Sequence, residues 1–179
     1  IFRITIGHKE EPDVWYAGVS PQGLFRSNDN GNTWDEIESL SEKINLIKNN
    51  KLKNSYKYEK LHSIIINPKN MNDITVGMTN GGIYKSEDHG KSWFTRNTNE
   101  NVESYILIQH PDDCNVVYEQ NKSGIFKYDL DQNHYKRIGQ GIDVGDQGFA
   151  LAIHPKSKQT LWTFPMEGTD VWSRVCTGG

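Results

Sequence analysis

Glu119, Asp146 and Glu167 are the carboxylates with which this chain could do acid–base chemistry. Two such acids held about 5–10 Å apart across a concave surface can hydrolyse a glycosidic bond, one protonating the leaving oxygen while the other activates water or attacks. His62 and Tyr105 offer a different chemistry, that of a metabolic or redox enzyme. The six histidines form no i, i+4 pair and no His-x-His pair, so no metal site is expected. Gly139-Gln140-Gly141 lacks the strand–helix context of a phosphate-binding loop and reads as a turn; no cofactor is expected.

The elements that must position these groups are repeated. Residues 24–34 read Leu-Phe-Arg-Ser-Asn-Asp-Asn-Gly-Asn-Thr-Trp, and residues 83–93 read Ile-Tyr-Lys-Ser-Glu-Asp-His-Gly-Lys-Ser-Trp. Both follow aliphatic, aromatic, basic, then Ser-x-Asp-x-Gly-x-[Thr/Ser]-Trp. A worn third copy runs from Ile125 to Tyr135, with Leu130, Gln132 and Tyr135 at the Asp, Gly and Trp positions. Around these boxes lie short apolar runs, Leu61–Pro68, Ser104–Pro111 and Gly148–Pro155, each ended by Asn-Pro or His-Pro, as for a buried strand closed by a turn. A second run follows each (Ile74–Met78, Val116–Tyr118, Thr160–Phe164), then a third that opens on Gly82 or Gly124, and a fourth that begins at the box Trp.

Four short strands per unit, with 43 residues from Pro68 to Pro111 and 44 from Pro111 to Pro155, predict an all-β chain. Its architecture is a β-propeller of four-stranded antiparallel blades, about three and a half to four of them. The units run roughly over 1–40, 61–97, 104–138 and 148–179 of a single domain or part of one. Residues 41–60, rich in Lys and Asn, read as an inserted loop, and 38–50 is the one place for a helix. Within a box, Asp29 or Asp88 is suited to accept N–H bonds inside its own turn, Gly31 and Gly90 to supply positive φ, and Ser27, Ser86 and Thr33 to add hydroxyl bonds. Trp34 and Trp93 then cover the strands.

Composition agrees with a β-rich protein. Apolar residues make up 35% of the 179, mean hydropathy is −0.73, and 11% are aromatic. A net charge of −3 argues against a nucleic-acid partner. No apolar run reaches the roughly 18–20 residues of a membrane span. The two cysteines, Cys114 and Cys176, suggest no disulfide framework or metal pair; a soluble chain is expected, its compartment left open with the cytoplasm slightly favoured.

The boxes Ser27–Trp34 and Ser86–Trp93 closely resemble the Asp-box, or BNR, repeats of sialidase-like propellers, of sortilin-type receptors and of photosystem II assembly factors. The chain is similar to BNR-repeat proteins described as glycosyl hydrolase-like, whose His-Pro turns and Phe164-Pro-Met-Glu-Gly168 stretch it shares. Relatives carry more blades, so the resemblance implies missing blades or self-association; a closed four-bladed ring is the alternative. It also implies that the boxes and the His-Pro turns, with His110 and His154, are structural and lie opposite the ligand face. That face would collect the equivalent first-strand positions His62, Tyr105 and Phe149, with Asn80, Glu119, Gln120, Asn121, Lys122, Asp143, Asp146, Gln147, Glu167 and Asp170 nearby. A sialidase would further require three arginines around a carboxylate. Arg3 sits in a Phe-Arg-Ile like that family's signature, but Thr5 replaces its Pro, and Arg26, Arg96, Arg137 and Arg174 form no visible triad. The expected function is therefore a non-catalytic scaffold that recognises a protein or glycan through one propeller face. The alternative is a glycoside hydrolase using Glu119, Asp146 and Glu167.

Overall fold

The computed structural model describes residues 1–48, 59–79, 81–95, 104–132, 134–142 and 145–164. Three four-stranded antiparallel sheets and one two-stranded sheet follow one another along the chain. The first holds β1 (Arg3–Ile6), β2 (Trp15–Val19), β3 (Gly23–Ser27) and β4 (Asp35–Glu36). The helix α1 (Glu38–Lys48) comes next, and then the second sheet, β5 (Leu61–Ile66), β6 (Ile74–Met78), β7 (Gly82–Ser86) and β8 (Phe94–Thr95). The third comprises β9 (Ser104–His110), β10 (Asp113–Asn121), β11 (Gly124–Asp129) and β12 (His134–Arg137); β13 (Leu151–His154) and β14 (Ser157–Thr163) form the last. Each sheet is ordered as its strands occur in sequence, so every connection within a blade is a tight antiparallel return. The first strands β1, β5, β9 and β13 lie side by side from blade to blade. This is an all-β fold of propeller blades.

Alternation along the strands seals the junctions. Ile64, Val76, Met78 and Tyr84 of the second blade bury themselves against Tyr16 and Leu24 of the first. Leu107, Val117 and Tyr128 of the third meet Ile83 and Ile65 of the second. Tyr118, Val116 and Ile125, on the other side of the third sheet, meet Leu151, Ile153 and Leu161. Close approach demands small residues at matched places. A Cβ on Gly18 would overlap the Leu61 carbonyl, and one on Gly77 would stand 2.7 Å from Leu107 Cδ1.

The turns between third and fourth strands explain the recurring boxes. Ser27 Oγ donates to Asp29 Oδ1 (2.7 Å) and accepts the Gly31 amide (2.8 Å), while Asp29 accepts both the amide and the hydroxyl of Thr33 (2.8 and 2.7 Å). Ser86, Asp88, Gly90 and Ser92 repeat those bonds one blade later. Gly31 and Gly90 sit at φ of 86° and 84°, a region closed to most side chains. Bonds from Thr33 hold the Asp29 carboxyl down at about 2, and bonds from Ser92 do the same for Asp88. The third turn spans the same length between its strands but is tied back one repeat position earlier. Leu130 takes the backbone bond (to the Asn115 carbonyl, 2.8 Å) that Asn30 and His89 make in the other two blades, and Asp129 Oδ1 caps the amides of Asp131 and Gln132.

The helix lies within 38–50, the one place expected for it, and one strand adds to the outline. Residues 41–48 of the stretch read as an inserted loop belong to α1, whose Leu40 and Ile44 enter the core beside Trp93; the rest, 49–58, lies outside the described residues. Ser39 ties the helix to the second box, donating to the Gly90 carbonyl (2.5 Å) and accepting from Trp93 Nε1 (3.1 Å). The added strand is β1, which makes residues 3–6 the first strand of the first blade. His8 closes it as His110 and His154 close β9 and β13: each accepts the amide two residues on at Nδ1 (3.0–3.2 Å), and Asn67 Oδ1 does the same after β5.

Candidate functional site

The starts of β5 and β9 are irregular in the same way. Leu61 pairs with Met78 and Ser63 with Gly77, so His62 is an extra residue; Ser104 pairs with Asn121 and Ile106 with Gln120, so Tyr105 is extra too. A bulge re-aims the extra side chain out of the alternation. The same position holds Phe149 ahead of β13 and Phe2 ahead of β1. The Tyr105 and Phe149 rings meet, centroids 4.5 Å apart and planes tilted by 35°, and Phe149 is exposed. Lys60 Nζ lies 4.7 Å from the centre of the half-exposed Phe2 ring. Phe2 was not among the expected site residues. The signal for it was its register with His62, which required recognising β1.

His62 is buried. Its Nδ1 is 2.8 Å from Ser63 Oγ, which also accepts the Leu107 amide (2.9 Å) across the blade junction. Burial, helped by the nearby Lys60 and Arg3 charges, lowers its pKa to about 4 and keeps it neutral. Among the described residues no hydrogen bond of good geometry reaches its Nε2, the buried Ser104 Oγ or Glu119 Oε1.

Glu119 points from β10 into the same junction, beside its ladder partners Leu107 and Phe126. The Tyr135 hydroxyl donates to its Oε2, and Asn121 Nδ2 donates to that hydroxyl (3.0 Å). The Tyr135 ring stacks on Phe126, 4.4 Å between centroids. Burial raises the Glu119 carboxyl to about 7, against the opposing pull of the Tyr135, Ser104 and Asn121 groups. Asn121 is also committed to its own turn, accepting the Ser123 amide at Oδ1 (2.7 Å).

Asp146 has another setting. It follows β12 on the connection to the fourth blade, and Arg137 grips it with Nη2 on Oδ1 (2.6 Å) and Nε on Oδ2 (3.2 Å). Its Oδ2 also accepts the Ile125 amide (3.1 Å), extending the β11 ladder beyond β12. A Cβ on Gly124 or Gly139 would overlap this carboxylate. Gln120 Nε2 donates to the Asp146 carbonyl (3.1 Å) and to Thr163 Oγ1 (2.9 Å), and Gln147 beside it is half-buried. Glu119 thus serves the junction with the second blade and Asp146 the connection to the fourth. Glu167, Asp170, Asn80, Asp143, Arg96 and Arg174 lie outside the described residues. Among the described arginines, Arg26 is bound to Glu11 (2.9 Å) and Arg137 to Asp146, in different blades. Among the described residues no group of three His, Cys, Asp or Glu side chains is placed to hold a metal ion. None of the described helices is long and apolar enough to cross a membrane.

No protein-family profile and no curated protein matches the chain. Solved structures do. The GH74 xyloglucanase of Xanthomonas campestris is similar over 84% of this chain and 24% of its own, with 18% identity and a TM-score of 0.64. YCF48 from Cyanidioschyzon merolae is similar over 80% of this chain and 41% of its own, with 15% identity and a TM-score of 0.56. A structure of YCF48 bound to D1 peptide covers 75% of this chain and 38% of its own, with 9% identity and a TM-score of 0.51. The chain is a β-propeller in fold. It spans less than half the length of each of these propeller proteins, and at such identities the likeness shows fold alone.

Proposed function

We infer that this propeller is a recognition scaffold, non-catalytic, that binds a segment of another protein through the face bearing Phe2, His62, Tyr105 and Phe149. The carrying observation is the Tyr105–Phe149 pair, two rings from adjacent blades in contact with each other and partly open to solvent. Aromatic groups on a rigid frame give large contact area at small entropic cost. The state of the acids supports the same reading. Asp146 is spent on Arg137 and the Ile125 amide, and Glu119 is wholly buried against Tyr135. Neither offers a carboxyl to a substrate at the surface. The boxes Ser27–Trp34 and Ser86–Trp93 act in this reading as Asp-box turns that fix the blades from the opposite end. That YCF48 has been seen with a bound peptide favours protein over glycan as the ligand class.

The test is a displayed random-peptide library and a glycan array, each applied to the wild type and to a Tyr105→Ala/Phe149→Ala variant. Peptides enriched on the wild type should lose at least tenfold in affinity on the variant. Binders indifferent to both rings would overturn the assigned face. Hydrolysis of xyloglucan or a sialoside by the wild type, abolished in Glu119→Gln, would overturn the non-catalytic reading.

A further inference from the structure

The third blade departs from the other two in one coordinated way. In each four-stranded sheet the second strand pairs with the first aromatic residue of the repeat: Ala17 with Phe25, Val76 with Tyr84 and Glu119 with Phe126. By the same registers Asn121 takes the place of Met78, Ser104 that of Leu61 and Tyr135 that of Trp93. Leu61, Val76, Met78 and Trp93 belong to one buried apolar cluster. Their counterparts Ser104, Glu119 and Asn121 are buried as well, at 1% exposure or less. Four apolar places have become polar together, on the face turned to the second blade. A lone polar group there would cost stability, whereas four that converge form a connected unit.

The unit is chained to the bulge that aims Tyr105. Ser104, the residue before it, is the ladder partner of Asn121. Asn121 Nδ2 donates to the Tyr135 hydroxyl (3.0 Å), and that hydroxyl donates to Glu119 Oε2. The titratable groups brought to Glu119 among the described residues are Tyr135 from β12 and, across the junction, His62 from β5. Burial keeps His62 neutral, with its pKa lowered to about 4, and the Lys60 and Arg3 charges act on that ring. The strand β9 contributes Ser104 and Leu107, β11 Phe126 and β7 Ile83. With its proton Glu119 leaves the junction uncharged. Without it, an anion stands against Leu107 and Phe126 with no cation bound to it among the described residues.

We propose that the proton on Glu119 is a lock: it holds the second blade against the third and, through Ser104, keeps the Tyr105 ring on Phe149, so that pH sets the aromatic face. As control of ligand binding this rests on the recognition role inferred above; as a lock it stands without a ligand. The closed junction holds the carboxyl at about 7 against the ordinary 4.5, so opening becomes easier as pH rises between those values, by up to about 300-fold in all.

Hydrogen exchange in the free protein reads the lock. The Leu107 amide bonds across the junction to Ser63 Oγ (2.9 Å). Its protection, corrected for intrinsic rates, should fall by up to about 300-fold from pH 4.5 to 7.5. In Glu119→Gln, and in Glu119→Val with the residue type of the second blade, it should not change with pH. The nuclear Overhauser contact between the Tyr105 and Phe149 rings should fade over the same range in the wild type and persist in Glu119→Gln. A displayed-library peptide selected on the wild type at pH 5 should bind at least tenfold more weakly at pH 7.5, and equally at both in Glu119→Gln. Protection at Leu107 that is flat with pH, or equally steep in both variants, overturns the lock. So does a ring contact that persists while Leu107 opens; a peptide bound equally at both pH values overturns control of the face. A library that yields no peptide overturns the recognition role alone, and the exchange and ring measurements still decide the lock.

Discussion

Glu119 and Asp146 are both buried carboxylates of the third blade, yet the sheet between them assigns opposite electrostatics. Asp146 meets a guanidinium in two-point contact and a backbone amide, so its charge is matched where it sits. Glu119 meets a phenol and an apolar junction with no cation bound to it among the described residues, and its neutral form is favoured. Burial alone therefore says little about what an acid does; the partner decides. One carboxylate is a tie between elements, and the other is a titratable group sealed in a seam.

The largest effect expected of this contrast is on Asp146. Asp146→Ala leaves the half-exposed Arg137 to solvent and the buried Ile125 amide without its acceptor, and urea unfolding should show a loss of about 2–4 kcal/mol. A loss below about 1 kcal/mol would break the comparison. The Glu119 effect follows from its sign. Its folded pKa, about 7, lies above the ordinary 4.5, so the folded state holds its proton more tightly. That contribution is complete below about pH 4.5 and is lost as pH rises through 7, a fall of roughly 3 kcal/mol at 1.4 kcal/mol per tenfold change in proton affinity. Unfolding measured from pH 4.5 to 8 should show this decline, and Glu119→Gln should flatten it. Asp29 and Asp88 act at the other end of the scale: their lowered values make the boxes lose stability as pH falls from about 4 to 2.

Gly139→Ala sharpens the picture by sterics alone. The new methyl would stand 1.9 Å from Asp146 Oδ2 and 2.6 Å from its Cβ, and a loss of about 2 kcal/mol is expected, smaller in an Asp146→Ala background, which removes the carboxylate but keeps the Cβ. Tyr135→Phe should be smallest, about 1–2 kcal/mol near neutral pH, because the hydroxyl's bonds to Glu119 and from Asn121 go while the stacking on Phe126 stays. Its diagnostic mark is a further rise in the Glu119 titration, readable by carboxyl NMR.

Much of this frame was legible in the residues. The Ser-x-Asp-x-Gly boxes announced their turns because the bonds involved span four residues and need nothing remote. The first blade was read incompletely, since Arg3–Ile6 ends in Gly7-His8-Lys9 and lacks the Asn-Pro or His-Pro mark. His8 nonetheless makes the same turn, because it is the ring nitrogen and not the proline that accepts the bond. The site was legible in part: His62, Tyr105 and Phe149 were aligned by repeat position, but the bulges that re-aim His62 and Tyr105 are a matter of ladder register, which no local pattern encodes.

By itself, then, the sequence determined what short-range chemistry can enforce: strand periodicity, the box and His turns, four strands to a unit and hence a propeller of blades. Tertiary structure alone decided the partners of the acids. Arg137 and Asp146 are nine residues apart, and Glu119 and Tyr135 sixteen, but each pair meets only after β11 has been laid between β10 and β12 and a neighbouring blade has closed over the sheet. Whether a carboxylate is matched or stranded depends on the dielectric and the donors those contacts create, and these exist only in the folded chain.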